Sequence, residues 1–287
     1  MRKNIYLVLP IVFFLLLSAC SVFDPPEKTP SYIRINKISL TTIPITEGPN
    51  TSAIVDAWVY VDDKLIGVFE LPATIPVLSD GNHKVTIRGG IKLGGMAGYR
   101  AYYPFYEPYE VSTDLVPGEI VEITPQLKYT SSATFPLLEN FESAGVLFSS
   151  GSLSDTSIVV VPSTDSLINE KKYGAVYLDD THPNFEVYNS SNYNLPTTGE
   201  PVFVEIDYST SIDFTLGILI DYTSSVVSKD LVTILYRDSG WKKMYINLTT
   251  TLTEATTASG FKLYIRAVKP TAQSNAIMYF DNIKIVH

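Results

Sequence analysis

Apolar and polar residues alternate along most of this chain. Ile33 and Ile35 alternate with Arg34 and Asn36, and Ala53, Val55, Ala57, Val59 and Val61 form one face of a longer run whose other face carries Ile54, Trp58 and Tyr60. A period of two places successive side chains on opposite faces of a strand, so both runs predict half-buried β-strands. Val61-Asp62-Asp63-Lys64-Leu65-Ile66-Gly67 and Ser79-Asp80-Gly81-Asn82 predict turns, the second leading into a strand over His83–Ile87, and Pro117-Gly118-Glu119 turns the chain into Ile120–Ile123. Small polar residues at Thr130-Ser131-Ser132-Ala133-Thr134 predict a domain boundary. Beyond it the pattern predicts strands at Ile158–Val161, Ala175–Leu178, Phe185–Tyr188, Val202–Tyr208, Phe214–Ile220, Leu231–Tyr236, Met244–Leu248, Phe261–Ala267 and Ile277–Val286, and no segment repeats apolar residues at helical spacing. Each such strand has one face to bury, and an opposing sheet buries it. The expectation is an all-β chain of two β-sandwich domains, over residues 31–129 and 135–287.

The start of the chain breaks the alternation. Arg2 and Lys3 precede an almost wholly apolar run from Ile5 to Leu17, followed by Ser18, Ala19 and the only cysteine, Cys20. That order of charge, apolar run and small residues is a secretory signal peptide, residues 1–19. Leu17-Ser18-Ala19-Cys20 resembles the lipobox of bacterial lipoproteins. The resemblance implies cleavage before Cys20, diacylation of its thiol with palmitate-type chains, and membrane attachment through that lipid. Ser21, in place of Asp, is compatible with sorting to an outer membrane. The other reading of Cys20 is a structural thiol or half of an intermolecular disulfide. Ser21–Pro30, with Pro25, Pro26, Pro30, Asp24 and Glu27, predicts an extended, solvated tether over residues 20–30.

Composition narrows the class. The formal net charge is −9, and losing Arg2 and Lys3 with the leader takes it to −11. Such a surface repels phosphate, which excludes nucleic acid as a partner. With no second cysteine there is no internal disulfide, so packing must supply the stability, and nineteen Tyr and thirteen Phe among many Val, Ile and Thr suit pleated sheets.

In the first domain Val59-Tyr60-Val61-Asp62-Asp63, Gly67 and Gly81-Asn82-His83-Lys84-Val85 resemble the PEGA domain, a small β-sandwich of surface and envelope proteins, although the name-giving stretch reads Glu70-Leu71-Pro72-Ala73 here. His83, alone at the start of a strand, reads as structural. Gly89-Gly90 and Gly94-Gly95-Met96-Ala97-Gly98 predict a flexible insertion; the Lys and Ser or Thr of a phosphate loop do not follow. The crowd of Tyr99, Tyr102, Tyr103, Phe105, Tyr106 and Tyr109 is either a contact patch or core, and the need of a small disulfide-free domain for large side chains favours core.

In the second domain Leu138-Glu139-Asn140-Phe141-Glu142 and Tyr279-Phe280-Asp281-Asn282-Ile283-Lys284-Ile285, with Gly240-Trp241-Lys242-Lys243-Met244-Tyr245-Ile246-Asn247-Leu248 and Tyr173-Gly174-Ala175-Val176-Tyr177-Leu178 between them, resemble the jelly rolls of carbohydrate-binding modules and galactose-binding-like domains. That resemblance implies glycan binding, with Trp241 and Tyr245 as candidate ligand-binding residues; Trp241 reads equally as a core or rim residue. It also implies a structural calcium shared by Glu142 and Asp281, whose oxygens suit a hard cation, although both acids could simply face water.

Catalytic signatures are missing. There is no His-Glu-x-x-His motif and no Gly-x-Ser-x-Gly elbow, and the acid pairs Asp62-Asp63 and Asp179-Asp180 cannot converge as strand neighbours, because adjacent residues point to opposite faces. No catalytic residue is assigned. The expected function is a non-catalytic, lipid-anchored cell-envelope protein that binds a glycan through its C-terminal jelly roll. The alternatives are a structural or assembly lipoprotein that docks other envelope proteins and, third, a secreted glycoside hydrolase whose acids meet across the fold.

Overall fold

The structure of the chain, a computed structural model, describes residues 27–163, 172–234 and 240–287. The leader, Cys20, most of the tether and the end of the Leu231–Tyr236 strand lie outside the described residues. Among those described, nearly all regular structure is strand, so the all-β expectation holds.

The first unit contains β1 (Ser31–Ile35), β2 (Ser39–Leu40), β3 (Asp56–Val61), β4 (Lys64–Glu70), β5 (Ala73–Val77), β6 (Gly81–Lys92), β7 (Arg100–Tyr102), β8 (Tyr109–Leu115), β9 (Ile120–Glu122) and β10 (Gln126–Leu127). One sheet runs β5-β1-β9 and another β4-β3-β6-β7, with β8 also paired to β6. Their inward residues, Ile33, Ile35, Val59, Ile75, Val85 and Ile87, are buried together. The predicted turn at Asp62-Asp63 closes the β3–β4 hairpin with both residues in the left-handed region, φ 47° and 63°. Such a pair twists in the same sense as the strands it joins. The predicted strand from Ala53 begins only at Asp56, because Val55 donates to the Gly90 carbonyl while the Ala53 N–H turns away to the Tyr245 hydroxyl, 3.1 Å distant.

The second unit contains β11 (Leu137–Glu139), β12 (Phe148–Ser150), β13 (Val159–Pro162), β14 (Lys172–Leu178), β15 (Asn184–Asn189), β16 (Phe203–Thr210), β17 (Phe214–Tyr222), β18 (Ser225–Ile234), β19 (Lys242–Asn247), β20 (Gly260–Val268) and β21 (Ala276–Val286). Sheet β13-β14-β21-β16-β19, with β11 on β21, packs over sheet β12-β15-β20-β17-β18. Alternate residues of both sheets, among them Val176, Phe185, Val204, Ile206, Leu216, Ile265 and Phe280, fill one core.

The two units share buried surface. On the outer face of β16, β19 and β21, Phe203, Tyr245 and Val286 join the core of the first unit. Tyr103 packs edge-on against Phe203 at 5.2 Å and tilted against Tyr245 at 5.0 Å. Between these rings sits a charged cluster. Glu205 Oε1 accepts the hydroxyls of Tyr103 and Tyr129, each at 2.8 Å; its Oε2 lies 3.1 Å from Lys243 Nζ and 3.9 Å from Lys284 Nζ. Lys243 also reaches Asp207 at 3.3 Å, and Lys284 donates to the Glu47 carbonyl at 2.6 Å. Burial pushes the Glu205 carboxyl up, but the two ammonium groups and two phenol donors outweigh it and hold it below the ordinary glutamate value. The lysines diverge. Burial lowers both, yet Asp207 and Glu205 outweigh it at Lys243, which stays above the usual range, whereas Lys284, farther from Glu205 and repelled by Lys243, falls to about 8.

Removing one member of a buried ion cluster leaves the others uncompensated, at a cost of about 3–5 kcal/mol. Glu205→Ala is therefore expected to lower the unfolding free energy by that amount in denaturant titration, with near-wild-type stability counting against the cluster as drawn.

Candidate functional site

The outer face of the β13-β14-β21-β16-β19 sheet is covered by the first unit over only part of its width. On the uncovered part, β14 presents Tyr173 and Tyr177, and β21 presents Ile277 and Tyr279. Register explains their meeting: Tyr279 lies opposite Ala175, so Tyr173 and Tyr177 flank it diagonally. Trp241 immediately precedes β19. Its neighbour Lys242 is opposite Tyr208, which sets Trp241 beside the small Ser209 and within reach of Tyr279, itself opposite Ser209. The three rings form one cluster: Tyr173–Tyr279 at 5.1 Å and 72°, Tyr173–Trp241 at 5.5 Å and 75°, and Trp241–Tyr279 stacked at 6.4 Å and 28°. Burial raises the Tyr279 phenol, helped by the neighbouring Tyr173 and Tyr177 phenols.

Trp241 also forms a wall of a cleft of about 420 Å³ at the junction of the units, facing Ser52, Val55, Lys92 and Gly95 of the first. This candidate residue thus lies at an open cleft. The second candidate, Tyr245, does not. It is 1% exposed, its hydroxyl accepts the Ala53 N–H and lies 3.0 Å from the Tyr106 hydroxyl, and its carbonyl accepts the Gly94 N–H at 2.8 Å. Trp241, Lys243 and Tyr245 share one face by the period of two, but the first unit covers that face from Lys243 onward. Tyr245 is a core residue and the ligand-binding expectation for it is corrected.

The glycine segment is corrected as well. Gly89 and Gly90 lie within β6, where a Cβ at Gly90 would meet the Asp56 side chain at 2.7 Å. Gly94 turns with φ 56° and docks on the second unit, where Leu93 bridges Tyr245. Of the aromatic crowd, Tyr103, Phe105 and Tyr106 are buried and Tyr99 and Tyr102 exposed, so the core reading holds for its centre.

Each acid of the expected calcium pair accepts a backbone N–H. Glu142 Oε1 accepts the Lys172 N–H at 2.8 Å, and Asp281, buried, accepts the Asn282 N–H at 2.8 Å. Among the described residues no group of three or more His, Cys, Asp or Glu is placed to hold a metal. A calcium held by these two carboxylates would draw its remaining oxygens from backbone carbonyls. The acid near this end that the sequence reading passed over is Glu139, buried and accepting the Phe141 and Leu147 N–H groups; burial raises its carboxyl while those bonds lower it.

Both adjacent acid pairs lie in turns. Asp62 bonds His83 Nδ1 at 2.6 Å and the Lys84 N–H at 3.1 Å, which lowers its carboxyl and raises the imidazole. His83 thereby ties the β3–β4 turn to β6, a structural role. Asp180 binds Lys269 at 2.8 Å.

No protein-family profile and no curated protein matches the chain. Solved structures do. The CBM22-1–GH10 modules of the N-terminal endo-1,4-β-D-xylanase 10B of Clostridium thermocellum, complexed with xylohexaose, are 13% identical over 53% of this chain and 28% of that one, with a TM-score of 0.41. This chain therefore spans well under two thirds of that protein. A xylan-binding domain from carbohydrate-binding module family 22 is 10% identical over 54% of this chain and 96% of its own, TM-score 0.39. A structure of carbohydrate-binding modules from the β-sandwich superfamily is 12% identical over 80% and 84%, TM-score 0.38.

The two candidates on one face should separate in stability. Tyr245→Ala is expected to cost about 3–5 kcal/mol, as for other large aromatic side chains removed from a core, and Trp241→Ala only about 1 kcal/mol for its ring contacts. Denaturant unfolding of both variants reads this directly, and equal losses would place Trp241 in the core too.

Proposed function

We propose that this chain is a non-catalytic glycan-binding protein held at a cell envelope by a lipid on Cys20. One observation carries the glycan reading: Trp241, Tyr173 and Tyr279 cluster on the uncovered part of a sheet face, and Trp241 also lines a cleft. Sugar rings carry C–H groups on their faces and hydroxyls around their rims. Rigid aromatic faces match the first at little entropic cost, and the Tyr hydroxyls and the Lys92 and Lys242 ammonium groups at the cleft match the second. Absence of catalysis is supported by the engagement of the acid pairs in turn and ion-pair contacts. The Leu17-Ser18-Ala19-Cys20 resemblance supports the anchor and, through Ser21, an outer-membrane address.

A second reading, docking to another envelope protein, is favoured by a different place. β4 is an edge strand of its sheet, and Leu65 and Leu78 stand exposed beside a groove of about 510 Å³ along it. Unpaired strand edges accept a strand from a partner.

Binding to immobilised polysaccharides tests the first reading. At least one should retain the wild-type chain, and Trp241→Ala should weaken that binding by roughly tenfold, about 1.4 kcal/mol. Retention by none, with capture of an envelope protein that is lost on Leu65→Glu, would favour the second reading instead. The anchor is tested by labelling cells with a radioactive fatty acid: wild-type protein should carry label and partition into detergent, and Cys20→Ser should do neither, whereas unlabelled wild-type protein would overturn the anchor.

A further inference from the structure

The open face continues past the three packed rings. Tyr177, 48% exposed, stands on the same face of β14 as Tyr173 and pairs with Ile277 on β21. On its far side opens a groove of about 550 Å³ whose walls are the Ser154–Ser157 loop and the turn from Asp179 to His182. Tyr177 belongs to both the aromatic face and this groove.

The walls are built by their own hydrogen bonds. Ser150 and Ser154 both donate to the Thr156 carbonyl, at 3.2 and 2.7 Å. Asp155 Oδ2 accepts the Asn184 N–H at 3.0 Å and the Asn184 side-chain amide at 2.8 Å. Asp179 Oδ1 accepts the Thr181 hydroxyl at 2.7 Å and the Thr181 and His182 N–H groups at 2.8 Å each. His182 turns Nδ1 toward Thr181 and Asp179, and among the described residues nothing bonds its Nε2. The lining holds two carboxylates and neither Lys nor Arg. An acidic sugar would meet uncompensated negative charge there, while a neutral sugar would meet hydroxyls, carboxylate oxygens and an imidazole nitrogen, all suited to its hydroxyl groups.

We infer that this groove is a second subsite of the same surface, and that the ligand is a linear, neutral polysaccharide lying along β14 and not a single terminal sugar. The inference rests on the glycan reading of the Trp241 face. Tyr173 and Tyr177 are four residues apart on one strand, roughly 13 Å at about 3.3 Å per residue, so the aromatic cluster and the groove cannot both be filled by one sugar ring. A chain that spans them gains the second set of contacts without a second loss of translational freedom.

Calorimetric titration of the full chain with β-1,4-linked oligosaccharides of glucose, xylose and mannose, as disaccharides and hexasaccharides, tests this. For the series that binds, the hexasaccharide should bind at least tenfold tighter than the disaccharide. Tyr177→Ala, at an exposed position and with an unchanged unfolding midpoint, should remove most of that advantage and leave disaccharide affinity within twofold. Trp241→Ala should weaken both lengths. Equal affinity for both lengths, with Tyr177→Ala silent, would overturn the second subsite and leave the Trp241 reading standing. No binding of any oligosaccharide by wild type would overturn both.

Discussion

Glu205 is the group on which the arrangement of the two units depends. A carboxylate with no exposed surface survives as an ion only where donors and cations replace water, and here those come from both halves of the chain: Tyr103 and Tyr129 from the first, Lys243 and Lys284 from the second. Neither unit alone supplies the full shell. Separation would expose Phe203, Tyr245 and Val286 together with this cluster, so apolar burial and charge compensation favour the same packed state. The candidate binding face inherits its shape from that constraint. The first unit covers β19 from Lys243 onward and leaves Trp241 at the rim, so the cleft exists because the docking stops there.

Strand identity was legible because it depends on local alternation, and the second unit follows the pattern nearly throughout. Within that unit two short strands, β11 and β12, were not, since three residues carry too little period to recognise. What could not be read was which outer face meets the other unit. Val204-Glu205-Ile206-Asp207 has the signature of a strand with one wet face, and nothing within it indicates that Glu205 is dry. The same holds for Trp241 and Tyr245, which share type, face and strand but lie on opposite sides of a boundary drawn by residues about 150 positions earlier in the chain. A weak signal was present: Gly94-Gly95 and the crowded Tyr103, Phe105 and Tyr106 lie close together in the sequence, and those residues form the contact.

The calcium expectation turns on a related point. An acid at each end of a domain is a sequence coincidence until the strands bring their carboxylates together, and here each carboxylate is engaged by backbone N–H groups nearby. The acid that does organise the start of the second unit is Glu139, which holds the Phe141 and Leu147 N–H groups at the left-handed bend of Phe141.

The position of β1 has a mechanical consequence. It is the middle strand of its sheet, paired in antiparallel to β5 from Ser31 to Ile35 and in parallel to β9 from Tyr32 to Arg34. A pull on the residues ahead of Ser31 runs along the strand and loads both ladders in shear, so bonds on two sides must break together and not one after another. Because the units share a core, tension entering at the far sheet has no slack hinge to absorb it before it reaches β1. A chain built this way resists being drawn out by its N-terminal end while something large holds the other.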